Sequence, residues 1–208
     1  MRIVCISDTH GQHRQLAVPN GDILIHAGDF TFYSEPPSIV SDFNGWLGSL
    51  PHRQKIVTCG NHEYLLEEPR ERGAITNATL LIESGVEIEG LKIWGSPTTP
   101  LYGGAFGKSK PEDRQRLWAS IPEDLDILVT HTPPFAILDH GLPSEPREGC
   151  PYLFEAVFRV RPRLHVFGHI HAGYGTRRTS DTTFVNASLL GDSGSLSREP
   201  IVIDLQPR

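Results

Sequence analysis

The stretch "VFGHIHAGYG", from Val166 to Gly175, ends an apolar run with two histidines that are two residues apart and close to glycines. Imidazole is the commonest metal ligand among side chains, so this pattern suggests a metal site at the end of a strand. The chain has 10 histidines, however, and two of them can fall together by chance. The rest of the sequence therefore has to decide between a ligand pair and a coincidence.

Four other apolar runs resemble this one, because each is rich in Val, Ile and Leu and stops at a polar residue or a glycine. The five runs are "RIVCIS" to Ser7, "DILIHAG" to Gly28, "KIVTCG" to Gly60, "DILVTH" to His131 and "LHVFGH" to His169. Continuous runs of about 4–8 apolar residues are typical of strands that are buried on both faces. Helices should cover these faces, and the sequence therefore predicts an α/β fold.

The segments between these runs contain four candidate helices and several antiparallel strands. The helices are predicted over Ser38–Leu50, Glu63–Arg72, Lys110–Ser120 and Tyr152–Val160. Antiparallel strands are predicted within Thr79–Ser96, over Tyr174–Arg178 with Thr182–Asn186, and in the final "PIVIDL". The loop Pro133–Pro151 is long and rich in Pro and Gly. Such loops are usually functional or mobile, and we expect a lid here.

Length and composition limit the classes of protein that need to be considered. A chain of 208 residues fits a single domain over residues 1–208. The net charge of −6 disfavours a long nucleic acid as partner, since such binding relies on Lys and Arg. No apolar run is long enough to span a membrane, and no secretory signal is evident. The three cysteines are expected to be free thiols, so we expect a cytoplasmic protein with a small-molecule partner.

Every strand-like run is followed by residues that can bind a metal. These residues are Asp8 and His10, Asp29, Asn61 and His62, His131, and His169 and His171. The carboxyl ends of strands form the binding crevice of open α/β sheets, so five strand ends would bring these groups together. Carboxylate and amide oxygens suit harder ions, and imidazole suits Zn, Fe, Ni or Mn. The sequence therefore predicts a site for two divalent metals.

Each motif taken alone has an ordinary structural explanation. The "GD" at Asp29 can be a plain turn, and "SDTHG" around Asp8 can be a helix cap. His131, which precedes two prolines, can be structural as well. The argument for a site rests on the whole set occurring in this order at successive strand ends.

The ordered motifs D-x-H, G-D, G-N-H-E, a single His and G-H-x-H run from residue 7 to residue 171 and resemble the calcineurin-like metallophosphoesterase superfamily. In addition, "RVRPRLHVFGHIHAGYG" followed by "FVNAS" is similar to the animal brain metallophosphoesterase-domain proteins and their microbial relatives. The resemblance implies a two-layered mixed β-sandwich flanked by helices, with a dimetal site at the carboxyl ends of the strands.

The resemblance also implies how the ligands are shared. Asp8, His10 and His171 would hold the first metal, Asp29 would bridge, and Asn61, His131 and His169 would hold the second. Manganese is the expected metal, with Fe, Zn or Ni as alternatives. Two such ions can deprotonate a water and clamp phosphate oxygens, so attack on phosphorus needs no protein nucleophile.

His62 would be the catalytic histidine, which stabilises the equatorial oxygens or protonates the leaving oxygen. Many relatives carry an acid three residues after the bridging aspartate to orient this histidine, whereas this chain has Phe32. The arginine of Ser/Thr protein phosphatases is also missing, which favours a small substrate. Phe32, Tyr33, Phe135 and Tyr174 are candidates for stacking on a nucleobase.

The leading hypothesis is a dimetal phosphodiesterase that acts on small diesters, including 2′,3′- or 3′,5′-cyclic nucleotides, as near relatives do. A nuclease or phosphomonoesterase of the same superfamily is an alternative, although a nuclease should show a basic groove. A non-catalytic scaffold should have lost ligands, and a bare metal-binding role would not need His62. Among the other histidines, His26 and His165 are expected to be structural, and His13, His52 and His140 to face solvent.

Overall fold

The computed structural model describes residues 1–100, 104–140, 146–191 and 193–206, which form eleven strands and three α-helices. The strands are β1 (Arg2–Ile6), β2 (Ile23–Ala27), β3 (Gln54–Thr58), β4 (Thr79–Leu80), β5 (Ser84–Ile88), β6 (Leu91–Ser96), β7 (Ile127–Thr130), β8 (Leu164–Phe167), β9 (Gly175–Arg178), β10 (Thr183–Asn186) and β11 (Ile201–Asp204). The helices are α1 (Ser38–Ser49), α2 (Pro111–Ala119) and α3 (Pro151–Val160).

The strands form two mixed sheets. The first sheet has the order β11-β1-β2-β3-β4, and the second has the order β5-β6-β7-β8-β10-β9. The inner strands of both sheets are parallel, whereas β11, β5 and β9 run antiparallel to their neighbours at the edges. The prediction of an α/β, two-layered mixed sandwich flanked by helices is therefore confirmed.

Alternate residues of the inner strands explain why the apolar runs are continuous. Ile3 and Ile25 are fully buried with Ile93 and Val129 of the other sheet in the core between the sheets. Their neighbours in sequence point the other way, and Val4 packs with the residues of α1. A second outer core lies beneath α2 and α3. Strands covered on both faces need apolar residues at every position.

Three of the four predicted helices are present, and the fourth is wrong. The segment predicted as a helix over Glu63–Arg72 forms two 3-10 helices, Tyr64–Glu67 and Pro69–Ala74. Pro69 explains the break, because proline lacks the N–H that a continuous α-helix would use there. The prediction for Thr79–Ser96 is wrong in part, since β4 pairs in parallel with β3 and only β5 and β6 form the antiparallel hairpin.

Two of the histidines expected to face solvent are buried instead. The ring of His13 lies 5.2 Å from that of Trp46 and its Nε2 lies 2.9 Å from Asp42. His52 lies 3.0 Å from the carbonyl oxygen of Pro19, while His140 is half-buried. These loops lie over the outer face of the first sheet or against its edge, which the sequence does not reveal.

The long loop predicted as a lid is closed at its base. The backbone N–H of Phe135 donates to the carbonyl of Cys150, and the buried Asp139 accepts hydrogen bonds from the backbone of Ala136 and Gly149. Residues 141–145, at the centre of the expected lid, lie outside the described part, so the lid stays a prediction. Among the described helices, none combines the length and the apolar composition that a membrane span requires.

His165 on β8 makes the stability of the fold depend on pH. Its Nε2 donates to the hydroxyl of Thr130 over 2.9 Å, because that hydroxyl itself donates to the carbonyl of Thr132. Burial lowers the pKa of His165 to about 3. In the unfolded chain this imidazole binds a proton below a pKa of about 6.5, whereas in the folded chain it stays neutral down to about pH 3. The free energy of unfolding therefore falls as the pH drops from about 6.5 towards 3.

His165→Phe is expected to remove this contribution, because the new ring can lie beside Phe167 and Phe184, which already contact the imidazole. Urea unfolding of the metal-free protein between pH 6 and 4 should show a pH slope that is smaller by about 1.4 kcal/mol per unit. An unchanged slope would show that His165 is protonated in the folded chain.

Candidate metal centre

The predicted ligands lie where parallel strands of both sheets end. Asp8 and His10 follow β1, Asp29 follows β2, and Asn61 and His62 follow β3. His131 follows β7 in the other sheet, and His169 and His171 follow β8. At this rim the two sheets are joined, since Ser7 beyond β1 forms a parallel bridge with Ser188 beyond β10. The topology therefore brings five strand ends together, as the sequence predicted.

The side chains form three groups, and within each group the ligand atoms lie within 4.8 Å of one another. The first group is Asp8, His10 and His171, and the second is Asp29, His131 and His169. The third group, His10, Asp29 and His62, shares one residue with each of the other two. Nε2 of His131 lies 3.2 Å from Asp29 Oδ2 and 3.0 Å from the side-chain oxygen of Asn61. The structure thus brings the seven predicted ligands together, and their division between two metals stays a prediction.

The backbone is bent sharply at four of these ligands. Residues Asp8, His10, Asp29 and His169 have φ values of 54°, 41°, 54° and 68°. Positive φ is uncommon for residues other than glycine and is found at sites where the surroundings impose it. The turns let strand ends point their side chains back into one crevice.

Two glycines allow the close approach of the ligands. A Cβ atom at Gly60 would lie 2.3 Å from Asp29 Oδ1, and one at Gly168 would lie 2.1 Å from Asp8 Oδ2. Any larger residue would displace a carboxylate, so "CGNHE" and "FGHIH" need these glycines for space.

Hydrogen bonds fix which atom of His131 faces the site. Its Nδ1 lies 2.9 Å from the carbonyl oxygen of Ala27, which can only accept, so Nδ1 carries the hydrogen. Nε2 is then the nitrogen that faces Asp29 and Asn61 and that would bind a metal. Metal-binding histidines commonly use their second nitrogen in this way to hold the ring.

His10 also fits a bound metal, because its ring nitrogens lack hydrogen-bond partners among the described residues. Neither ring nitrogen of His10 has a hydrogen-bond partner among the described residues, although the side chain is only 6% exposed. Buried polar atoms are almost always paired, so unpaired ones at a cluster of ligands indicate an ion. The donor set of carboxylate, amide and imidazole, without cysteine, suits two divalent metals.

The carboxylates keep the site negative. Burial alone raises the pKa of Asp8, but the hydrogen bond to His171 and the nearby imidazoles outweigh it and hold that pKa well below its usual range. Burial also raises the pKa of Asp29, but the charge and hydrogen bond of His131, together with the charge of His62, outweigh burial and lower that pKa. Burial lowers the pKa of His131, but Asp29, Asp8 and the hydrogen bond to Ala27 together outweigh it and raise that pKa to about 9. Two ionised carboxylates attract cations into the crevice.

His62 lies at the mouth of the site against aromatic rings. Its Nε2 is 3.9 Å from Asp29 Oδ2, and its ring centre is 5.2 Å from that of Phe32, 4.4 Å from that of Tyr33 and 4.7 Å from that of His10. Phe32, which stands three residues after Asp29, and Tyr33 thus pack against the ring of His62. Burial lowers the pKa of His62.

The other two residues predicted to contact the substrate, Phe135 and Tyr174, pack against arginine side chains. An arginine lies over each ring, Arg147 at 6.0 Å from Phe135 and Arg198 at 5.3 Å from Tyr174. The hydroxyl of Tyr174 also donates to the carbonyl of Glu199. Among the described ring contacts, neither Phe135 nor Tyr174 contacts His62. Their role in substrate binding stays a prediction.

Glu63 is the residue of the G-N-H-E motif to which the sequence analysis gave no role. Its carboxylate is fully buried and accepts hydrogen bonds from the backbone of Asp29, Thr31 and Gly60. Burial, together with the charge of Asp29, raises the pKa of Glu63 to about 7. Through these hydrogen bonds the Glu63 carboxylate links the loop after β2 to the loop after β3. The available signal was an acid that directly follows the predicted site residues Asn61 and His62.

Comparisons with known proteins agree with this geometry. The profile described as Calcineurin-like phosphoesterase matches residues 1–173. The chain is 41% identical to the human Metallophosphoesterase domain-containing protein 1 over 231 aligned residues, covering 98% of this chain and 71% of that protein. It is 36% identical to the UPF0046 protein K07C11.7 of Caenorhabditis elegans, covering 97% and 74%.

The fold is also similar to that of the solved structure of TT1561 of Thermus thermophilus. The TM-score is 0.63 at 14% identity, with 89% of this chain and 88% of that chain covered. Together with the metal-ligand cluster at the strand ends, these matches show that the chain belongs to the calcineurin-like phosphoesterase family, whose members are metal-dependent hydrolases of phosphoric esters.

Proposed function

We propose that this protein is a dimetal-dependent phosphodiesterase that hydrolyses small phosphodiesters, with 2′,3′- and 3′,5′-cyclic nucleotides as the leading candidates. One observation carries the proposal. The seven predicted ligands converge on one crevice, and His62, to which the resemblance gives no ligand role, lies beside them with its Nε2 3.9 Å from Asp29 Oδ2. A purely structural metal site would not need a histidine at that place.

When bound, two divalent ions supply an activated water and positive charge for the phosphate oxygens. Asp8, His10 and His171 would hold one ion, Asn61, His131 and His169 the other, and Asp29 both. We propose manganese, with Fe, Zn or Ni as alternatives, since this donor set accepts all of them.

The chain itself supplies orientation and a proton. Asp29 accepts a hydrogen bond from the backbone N–H of His62 over 3.0 Å, which fixes that residue relative to the ligands. Nε2 of His62 points towards the same carboxylate, at a distance of 3.9 Å. From there a protonated Nε2 can donate to the leaving oxygen, a step that typically contributes about 10²- to 10⁴-fold.

An exposed aromatic surface beside His62 supports a substrate that carries a base. Phe32, Tyr33 and Tyr64 are 54%, 52% and 37% exposed, and their rings lie next to one another. Aromatic faces of this kind stack on nucleobases with little regard to sequence. The net charge of −6 favours a small substrate over a long nucleic acid. Because Cys5, Cys59 and Cys150 are free thiols, we place the protein in the cytoplasm.

The function can be tested with metal-stripped protein that is refilled with Mn²⁺, Zn²⁺, Ni²⁺ or Fe²⁺. A chromogenic phosphodiester, a chromogenic phosphomonoester and both kinds of cyclic nucleotide serve as substrates. We expect metal-dependent turnover of diesters, faster than of the monoester, and none with Asp29→Asn refilled in the same way. Two bound ions without turnover of any ester would instead favour a scaffold, and turnover of the monoester alone would overturn the choice of diester.

A further inference from the structure

The matched family profile ends at residue 173, yet the metal centre makes contacts with residues beyond it. The most direct contact comes from Ser188, the last residue of "FVNAS", which lies just beyond the end of β10. Its hydroxyl donates to Oδ2 of Asp8 over 2.8 Å, and both side chains are fully buried. Since Asp8 is an expected ligand of the first ion, this hydroxyl lies immediately behind the metal site.

The two oxygens of Asp8 have different surroundings, although both lie 3.1 Å from the backbone nitrogen of His169. Oδ2 also accepts from Ser188, and it faces Gly168, where a Cβ atom would be 2.1 Å away. Oδ1 lies 3.3 Å from Nε2 of His171, which belongs to the same set of ligands. Rotation of the carboxylate would exchange these positions. The hydroxyl of Ser188 therefore holds Oδ2 on the side of Gly168 and leaves Oδ1 on the side of His171.

Ser188 is itself held firmly. The side-chain oxygen of Asn186 accepts from the backbone N–H of Ser188 over 3.1 Å, and its amide donates to the carbonyl of Ile170 over 2.9 Å. Ile170 lies between the ligands His169 and His171. The fully buried Asn186 thus fixes both the Ser188 backbone and the loop with the two histidines.

We propose that Ser188 is a positioning residue of the metal centre, whose hydroxyl orients the Asp8 carboxylate so that Oδ1 binds the first ion. The inference rests on the proposed metal centre and not on the identity of the substrate. Outer partners of metal ligands typically contribute about 10- to 100-fold to metal affinity. The segment beyond residue 173 would then be part of the site.

The test is the metal affinity of Ser188→Ala in the full chain, measured by competition with a chromophoric chelator for Mn²⁺ and Zn²⁺ in the absence of substrate. We expect weaker binding at one of the two sites only, with an affinity about 10- to 100-fold below that of the unchanged protein. Binding at the other site should stay the same, since Ser188 contacts Asp8 and not the ligands of the second ion.

Thr58→Val is the matched control, because Thr58 is another fully buried hydroxyl, which donates to the carbonyl of Leu81 over 2.9 Å. Both variants should lose stability in the metal-free state, but only Ser188→Ala should lose metal affinity. If Ser188→Ala binds both ions like the unchanged protein, Ser188 is an ordinary core hydroxyl and the proposal fails alone. If the unchanged protein binds no ion, the proposed metal centre fails with it.

Discussion

Glycine in place of His169 is expected to remove one of two bound ions and to lower diester turnover by about 10²- to 10⁴-fold, because one metal supplies several kcal/mol in such reactions. Glycine is the suitable replacement, since His169 has a φ of 68° that alanine would adopt only under strain. The variant thus deletes the imidazole without disturbing the turn. Metal content at limiting metal and turnover on a chromogenic diester measure the two effects.

His165→Phe is the control for this experiment, because it removes a buried histidine from β8, the strand that precedes His169, without touching the ligand set. It should keep two ions and near-normal turnover. Two ions retained by His169→Gly at limiting metal would contradict the assignment of His169 as a ligand.

Alanine in place of His62 is expected to leave both ions bound and to lower turnover by about 10²- to 10⁴-fold, which is the usual contribution of a general acid. The loss should depend on the ester. A phenolate with electron-withdrawing groups can leave without being protonated, so hydrolysis of its ester should be slowed least by the substitution. The alkoxide that leaves from a cyclic nucleotide needs a proton, so hydrolysis of the cyclic nucleotide should be slowed most. The ratio of the two losses separates proton donation from simple damage to the site.

A competing assignment for His62 makes this experiment decisive. His10, Asp29 and His62 also offer ligand atoms within 4.8 Å of one another. Loss of an ion from His62→Ala would therefore identify His62 as a ligand, and an equal loss of turnover on all esters would exclude its role as an acid.

Local sequence was sufficient for most of the strands and for the candidate ligands. Runs such as "ILIHA" in β2 are apolar at nearly every position because both faces are buried, and this leaves a clear signal in one strand alone. Polar residues that directly follow such runs, such as Asp29, stand out for the same reason. The helix predicted over Glu63–Arg72 is wrong, because one residue, Pro69, interrupts it. The apolar pattern of the segment favours a helix, but the proline outweighs that pattern.

The supporting contacts of the site could not be read in this way. Glu63 holds Asp29 across 34 positions of sequence, and Ser188 reaches Asp8 across 180. The burial of His13 and His52 depends likewise on which loop lies over which face. Such contacts arise only when the two sheets pack and bring their strand ends to one rim.

The sequence by itself therefore determined most of the strands, the family and the candidate ligands. Apolar runs and metal-binding residue types can both be recognised within short segments of sequence. The tertiary structure decided which groups support them: the carboxylate of Glu63, the hydroxyl of Ser188, and the rings of Phe32 and Tyr33 against His62. A hydrogen bond or ring contact between distant segments depends on distances of a few ångströms in space, and only the packed fold sets those distances.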